Sequence, residues 1–222
     1  MMPTNLETAL AAALDAVPAR QSRPATIGAR LGVSAREIGL HGHATKRRTF
    51  QDGRGQVAAA ELVTRLPSIS ETLHFLMDGN FTLATVIPLI QSHIGEPCSL
   101  TICTLGLNND TTDQLAAMLQ AGSLADLRLA FSSYFRASDT ATADRAVETL
   151  TKLGASVAVE RLHAKIQLWQ PATKPDRYTL ETSANLRSCQ CVEIAAITNN
   201  AGLFNFHDGW LTEFFNRNAI KP

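Results

Sequence analysis

Between residues 99 and 159 the hydrophobic pattern switches repeatedly between two periods, and this limits the fold more than any other feature. Residues 99–105 (SLTICTL) form a short apolar run with β-branched members, as a buried strand requires. Asn108 and Asp110 are placed to cap the helix that follows, TTDQLAAMLQAG, and Gly122 closes it. Residues 126–131 (DLRLAF) read as a second strand. Residues 139–153 read as a second helix, with Ala143, Val147 and Leu150 on one stripe and Gly154 just past its end. Residues 155–159 (ASVAV) make a third strand. This alternation predicts an α/β layer whose strands run mostly parallel under helices.

The flanks extend the pattern. Residues 57–65 and 70–77 read as short helices, while FTLATVIPLI (residues 81–90) suits either strand or helix because Thr82, Thr85 and Pro88 interrupt it. Residues 194–198 are a further strand, and Asn199 and Asn200 make a turn. Residues 201–216 predict an amphipathic helix with Leu203, Phe206, Trp210 and Phe214 as its buried stripe and His207 beside it, in a surface or capping role.

Composition narrows the function classes. The 20 basic and 20 acidic residues cancel, so overall charge does not mark the chain as a nucleic-acid binder. The longest apolar run, residues 81–90, falls short of the roughly 18–20 residues that span a bilayer and contains Pro88. No basic segment leads into a long apolar core at the N-terminus, so no secretory signal is expected. Cys98, Cys103, Cys189 and Cys191 form no CxxC pair and no histidines stand at zinc-ligand spacing from them. The expectation is a cytoplasmic protein with no structural metal, Cys98 and Cys103 being small core residues.

The first 65 residues read as a helical and basic appendage to a domain over residues 66–222. Residues 5–17 suit a helix that Pro18 stops, with Asn5 as cap. Residues 26–38 (TIGARLGVSAREI) have apolar residues and a glycine where a helix-turn-helix wants them, though Gly39 and Gly42 would end its second helix early. Two short packing helices explain the same pattern. Lys46, Arg47 and Arg48 follow, either a phosphate-contacting loop or a solvated linker loosened by Gly53 and Gly55.

The chemistry concentrates in residues 162–193, LHAKIQLWQPATKPDRYTLETSANLRSCQCVE. His163 and Lys165 stand two apart, as do Ser183 and Asn185, and Glu193 closes the stretch. Residues two apart on a strand share a face. With LHAKIQLW and RYTLETSANL paired across the turn signals Pro171 and Pro175, an imidazole, an ammonium, a hydroxyl and an amide converge. That set suits an anion, a phosphate in particular.

His163-x-Lys165, Ser183-x-Asn185 and Glu193, in this order after an α/β pattern, resemble the signature of the phospholipase D superfamily. The resemblance covers about the last two-thirds of the chain. It is similar in particular to small single-motif members compared with nucleases, some of them phage- or prophage-encoded. Three positions depart from the family's pattern: Gln170 stands where an Asp usually follows the Lys, Thr182 where a Gly precedes the Ser, and Cys191 where a polar residue precedes the Glu. The resemblance implies a mixed sheet flanked by helices and a cofactor-free, metal-independent phosphodiesterase. In it His163 attacks phosphorus, Glu193 orients the imidazole, Lys165 and Asn185 hold the non-bridging oxygens, and Ser183 adds a hydrogen bond. With one HxK per chain, it further implies a homodimer whose two His163 share one cleft. The expected substrate is nucleic acid, with DNA foremost. The alternatives are a DNA-binding or regulatory protein with little turnover, and a lipid phosphodiesterase, which would need a membrane-binding surface that the sequence does not display.

Overall fold

The computed structural model describes residues 63–77, 82–187 and 191–220, and the backbone of two short segments, Gly39–Leu40 and His43–Ala44, which pair antiparallel. The expected helix over 5–17, the helix-turn-helix pattern over 26–38 and the cluster Lys46, Arg47 and Arg48 lie outside the described residues.

Seven strands form one sheet: β1 (Thr72–Met77), β2 (Cys98–Thr104), β3 (Leu124–Ser132), β4 (Ser156–Glu160), β5 (Ile166–Pro171), β6 (Tyr178–Thr182) and β7 (Glu193–Asn199). Their order across the sheet is β1-β7-β6-β5-β2-β3-β4. The α/β expectation holds, and the sheet is mixed. Only β2–β3 and β3–β4 are parallel, and the other four pairings are antiparallel. The mostly parallel sheet read from the alternation is therefore corrected. Helical crossovers join β2, β3 and β4, which forces them parallel, whereas β5, β6 and β7 follow one another with no helix among the described residues between them and return the chain antiparallel.

Helix α1 (Val86–Ile94) follows a 3-10 turn over Leu83–Thr85, and Pro88 sits in its first turn, where a missing N–H costs nothing. Asn108 caps α2 (Asn109–Gln120) by accepting from the Thr111 amide at 2.9 Å, and Gly122 ends the helix at φ 72°. A six-residue helix, α3 (Ser133–Ser138), precedes α4 (Thr140–Lys152), which Asp139 caps. Helix α4 buries Ala143, Ala146 and Leu150, the predicted stripe with Val147 at its edge. Residues 70–77, expected to be helical, instead contribute β1. The strand pairs residue for residue with β7, and its inward side chains Phe75 and Met77 alternate with outward His74 and Leu76.

The larger core joins Leu100, Leu127, Leu129, Phe131 and Trp169 to α1, α2 and α4 on one face of the sheet. The last helix, α5 (Ala201–Asn218), covers a second cluster of Cys103, Ala130, Ala158, Ile166 and Leu168. Its buried residues are Phe204, His207, Leu211 and Phe215, one position C-terminal to each member of the expected stripe, and Phe206 is 67% exposed. Spacing alone left the phase open because FNFHDGWLTEFF carries large side chains on adjacent positions. Arg128 settles it. From β3 its guanidinium reaches Thr212 at 2.9 Å and pairs with Asp208, and it lies over the Phe215 ring. His207 is thus buried rather than at the surface. It accepts from Trp210 Nε1 at Nδ1 (3.1 Å) and donates from Nε2 to Glu181 (3.1 Å).

Candidate active site

Strand β4 lies at one edge of the sheet, and β5 begins beside the C-terminal end of β2. Residues 161–165 must therefore pass over the C-terminal ends of β3 and β2, a traverse of about 14 Å at normal strand spacing. The segment does so extended. Leu162, Ala164 and Ile166 pack inward on the α5-side cluster, while Arg161 and His163 face out and Lys165 is half-buried. The two-residue spacing of His163 and Lys165 does put them on one side of the chain. It works in this crossing segment just ahead of β5, not within the expected hairpin. In a sheet with parallel strands, the crevice at their C-terminal ends is where ligands bind.

Lys165 Nζ lies 3.0 Å from His163 Nδ1 and donates to the His163 carbonyl at 2.8 Å. Its backbone carbonyl accepts from the Thr182 amide at 3.2 Å, which fixes the crossing segment to β6. Burial pulls the ammonium below the ordinary lysine range, while the nearby Glu193 carboxylate pushes the other way. Beneath the segment Cys103 donates to the Ala164 carbonyl at 3.5 Å, and burial raises its thiol to about 12. Cys98 is raised to about 12 for the same reason, so both are inert core thiols, as expected from the sequence.

Ser183 and Asn185 lie in the turn after β6, beyond the paired residues. Thr182 Oγ1 donates to the Ile194 carbonyl at 2.8 Å and accepts from the Ala184 amide at 3.0 Å. A threonine in place of the usual glycine thus braces the turn with its own side chain. The Ser183 hydroxyl donates to Glu193 and accepts from the Ile194 amide at 3.0 Å. Asn185 Oδ1 accepts from the Leu105 amide at 3.2 Å, so its Nδ2 has no partner among the described residues and its donors are available. Leu186 bridges to Leu107 and its carbonyl accepts from Thr111 Oγ1 at 3.0 Å, which ties the turn to the end of β2 and the start of α2.

The structure joins His163 to Lys165 and Ser183 to Glu193, sets Lys165 in the field of Glu193, and anchors Asn185 at the end of β2. The His163–Glu193 hydrogen bond that the resemblance implies is not made within one chain, because the carboxylate is turned to Ser183. Gln170 is exposed near the far end of β5, five residues and so roughly 16 Å from Lys165. It takes no part in the site. Asp176, the next acid along the chain after Gln170, is engaged with Asn199 at 2.7 Å. Two residues that the sequence reading passed over stand on the same edge. Arg161 immediately follows β4, and Tyr134 lies just past β3; the guanidinium donates to the Tyr134 hydroxyl at 2.8 Å and lies 5.6 Å from its ring centre. The strict in–out alternation of RLHAKI was the available signal for Arg161.

Among the described residues no helix is long and apolar enough to cross a membrane. No family model matches the chain, and no curated protein does. Solved structures resemble it in fold. Nuc from Salmonella typhimurium, described as a phospholipase D family member, is 12% identical, with 68% of this chain and 100% of that one covered at a TM-score of 0.48. NucT from Helicobacter pylori is 11% identical over 68% of this chain and 100% of its own, at 0.46. The phosphatidylserine synthase of Haemophilus influenzae Rd KW20 is 13% identical over 68% of this chain and 41% of its own, at 0.47.

Proposed function

We propose that the chain is a phosphodiesterase of phospholipase D type, acting on nucleic acid through a phosphohistidine intermediate at a site shared by two copies of the chain. The observation that carries this reading is the pairing of His163 with Lys165 on an exposed edge, with Asn185 donors and the Ser183–Glu193 pair from the adjoining turn.

The ammonium beside Nδ1 favours the tautomer that carries its proton on Nε2. That ring cannot attack through Nε2. A bound phosphodiester changes this, because its non-bridging oxygens compete for the Lys165 protons and draw the ammonium off the ring. Nδ1 can then take the proton and Nε2 becomes the nucleophile. The Nε2–P bond forms as the P–O bond to the leaving alkoxide breaks, and the alkoxide takes a proton from a second imidazole. Water then attacks phosphorus, gives its proton back to that imidazole, and releases His163. Lys165 and the Asn185 Nδ2 stabilise the charge on the equatorial oxygens throughout.

Among the described residues one chain supplies one imidazole on this edge, so the second histidine is His163 of a second copy across a two-fold axis. Light scattering of the active protein at micromolar concentration should return a dimer. An active monomer would sink the shared site.

The deciding experiment uses a small phosphodiester, single- and double-stranded DNA, and RNA, each with EDTA present. Turnover should persist under chelation and vanish in His163→Ala. Turnover that requires magnesium would overturn the mechanism. A protein that shifts DNA on a gel but cleaves nothing would instead be a regulatory binder.

A further inference from the structure

The chemistry above leaves Tyr134 and Arg161 unused, although both stand on the edge that carries His163. Tyr134 is an exposed aromatic, with 60% of its surface open, on the first turn of α3. Exposed aromatics beside a reactive edge need a reason, because burial of the ring is favourable. Arg161 stands apart from most of the described arginines, sharing only with a few, such as Arg177 over the Phe204 ring, the lack of a carboxylate partner. Arg65, Arg128, Arg136, Arg145 and Arg217 each pair with a carboxylate. Among the described residues the Arg161 guanidinium has no such partner and rests on the Tyr134 hydroxyl and ring.

The path of the crossing segment orders these groups. Arg161 comes first, above the end of β4, with Tyr134 beside it from the end of β3. His163 follows two residues on, and Lys165 two further, where Asn185 and the Ser183–Glu193 pair converge. At about 3.3 Å per extended residue, Arg161 and His163 are about 7 Å apart along the chain. This is a row rather than a pit, and a row is what a polymer of regularly spaced phosphates can follow.

We propose that Tyr134 and Arg161 form a subsite for the nucleotide next to the scissile phosphate, which makes single-stranded nucleic acid the substrate class. Tyr134 offers a ring face on which a base stacks, and Arg161 takes the neighbouring phosphate while holding the ring in place. A base inside a duplex is already stacked on both sides and has no face to give. A phospholipid has a phosphodiester but no planar π-system to lie on the ring. The inference rests on the phosphodiesterase reading, and its test separates the two.

The comparison is of kcat/KM for full-length protein, with EDTA, on single-stranded DNA, single-stranded RNA, duplex DNA, a phosphatidylcholine vesicle and methyl 4-nitrophenyl phosphate. In Tyr134→Ala the ratio of single-strand to small-diester turnover should fall about tenfold or more. Tyr134→Trp should keep or raise that ratio, since a ring remains. Tyr134→Phe should stay within about threefold, since only the bond to Arg161 is lost. An unchanged ratio in Tyr134→Ala, or a Trp variant as impaired as the Ala variant, would overturn the subsite, as would a vesicle or duplex preferred over single strands. If the wild-type protein turns over none of these, the phosphodiesterase reading fails and the subsite is judged by binding. Fluorescence anisotropy with a labelled single-stranded oligonucleotide should then show Kd about tenfold weaker in Tyr134→Ala, and a log–log salt slope reduced by about 0.7 in Arg161→Met. Equal affinity and equal slope in both variants would end the proposal.

Discussion

His207 is 7% exposed and both of its ring nitrogens are engaged, Nδ1 by the Trp210 indole and Nε2 by Glu181. His163 is exposed, and among the described residues its ring nitrogens meet a single side chain, the Lys165 ammonium. The indole N–H makes Nδ1 an acceptor, so the proton sits on Nε2 and the contact with Glu181 is a hydrogen bond rather than an ion pair. Nothing remains on the His207 ring to meet a ligand. His163 has the opposite design: its orientation depends on a cation that a phosphate can draw away. The contrast separates an imidazole that holds α5 against the sheet from one that the proposed mechanism uses as nucleophile.

Replacing each histidine should produce opposite phenotypes, and His163→Ala should give the largest effect of all. Loss of a nucleophile costs at least about 10³-fold in kcat/KM. Because the side chain is exposed, the melting temperature should hold. Turnover within tenfold of wild type would break the comparison at its active end. His207→Ala should act on stability. It removes two hydrogen bonds and leaves the Trp210 N–H unpaired, a cost of about 2–3 kcal/mol. For a chain of this length that is a fall in Tm of about 4–12 °C by calorimetry. The folded fraction should retain its kcat/KM. A His207→Ala protein that melts normally and has lost turnover would reverse the assignment.

Lys165 is the next largest effect and ties the comparison to pH. Its pKa is lowered by burial, so the charged form is lost at lower pH than for an ordinary lysine. Activity should therefore fall on the alkaline side at a pH below the usual lysine range. The sign for stability is the reverse. A lysine with a depressed folded pKa binds its proton more tightly when unfolded, so its burial costs stability at neutral pH. The cost fades as pH rises from the folded to the unfolded value. Lys165→Met should thus cut kcat/KM by about 10²-fold, as loss of one charge-stabilising donor does, without lowering Tm. A pH–rate profile whose alkaline limb is the same in Lys165→Arg as in wild type would show that another group sets it.

The sequence was most legible where one residue's chemistry fixed local structure. Asn108 caps its helix as its side chain predicts, and Gly122 ends that helix at positive φ. The buried runs of β2, β3 and β4 could be little else. Legibility failed where two structures satisfy one pattern. Residues 72–77 alternate too weakly to mark an edge strand, and only pairing with β7 decides them. The phase of α5 is decided by Arg128, through contacts across 80 and 84 residues of chain. In the site, the order of His163, Lys165, Ser183, Asn185 and Glu193 was visible, but their partners were not. Ser183 bonds Glu193, and Asn185 bonds the Leu105 amide, because the turn after β6 is stitched to the end of β2. Sequence spacing contains no such information.

The smallest effect should come from the position where the sequence departs most visibly from the family pattern. Gln170→Asp restores an acid five residues after Lys165. On the sequence alone that change would be expected to repair a site. In the structure residue 170 is exposed, opposite Ser99 near the far end of β5, and the whole strand separates it from Lys165. At roughly 16 Å a solvent-exposed carboxylate lies beyond the screening length of physiological salt, so His163 and Lys165 would not feel it. The variant should keep kcat/KM within about twofold and leave the alkaline limb in place. Surface substitutions of this kind usually move stability by no more than about 0.5 kcal/mol. A Gln170→Asp protein several-fold faster than wild type would mean that β5 carries the acid's influence to its other end, and that His163 is oriented by more than Lys165.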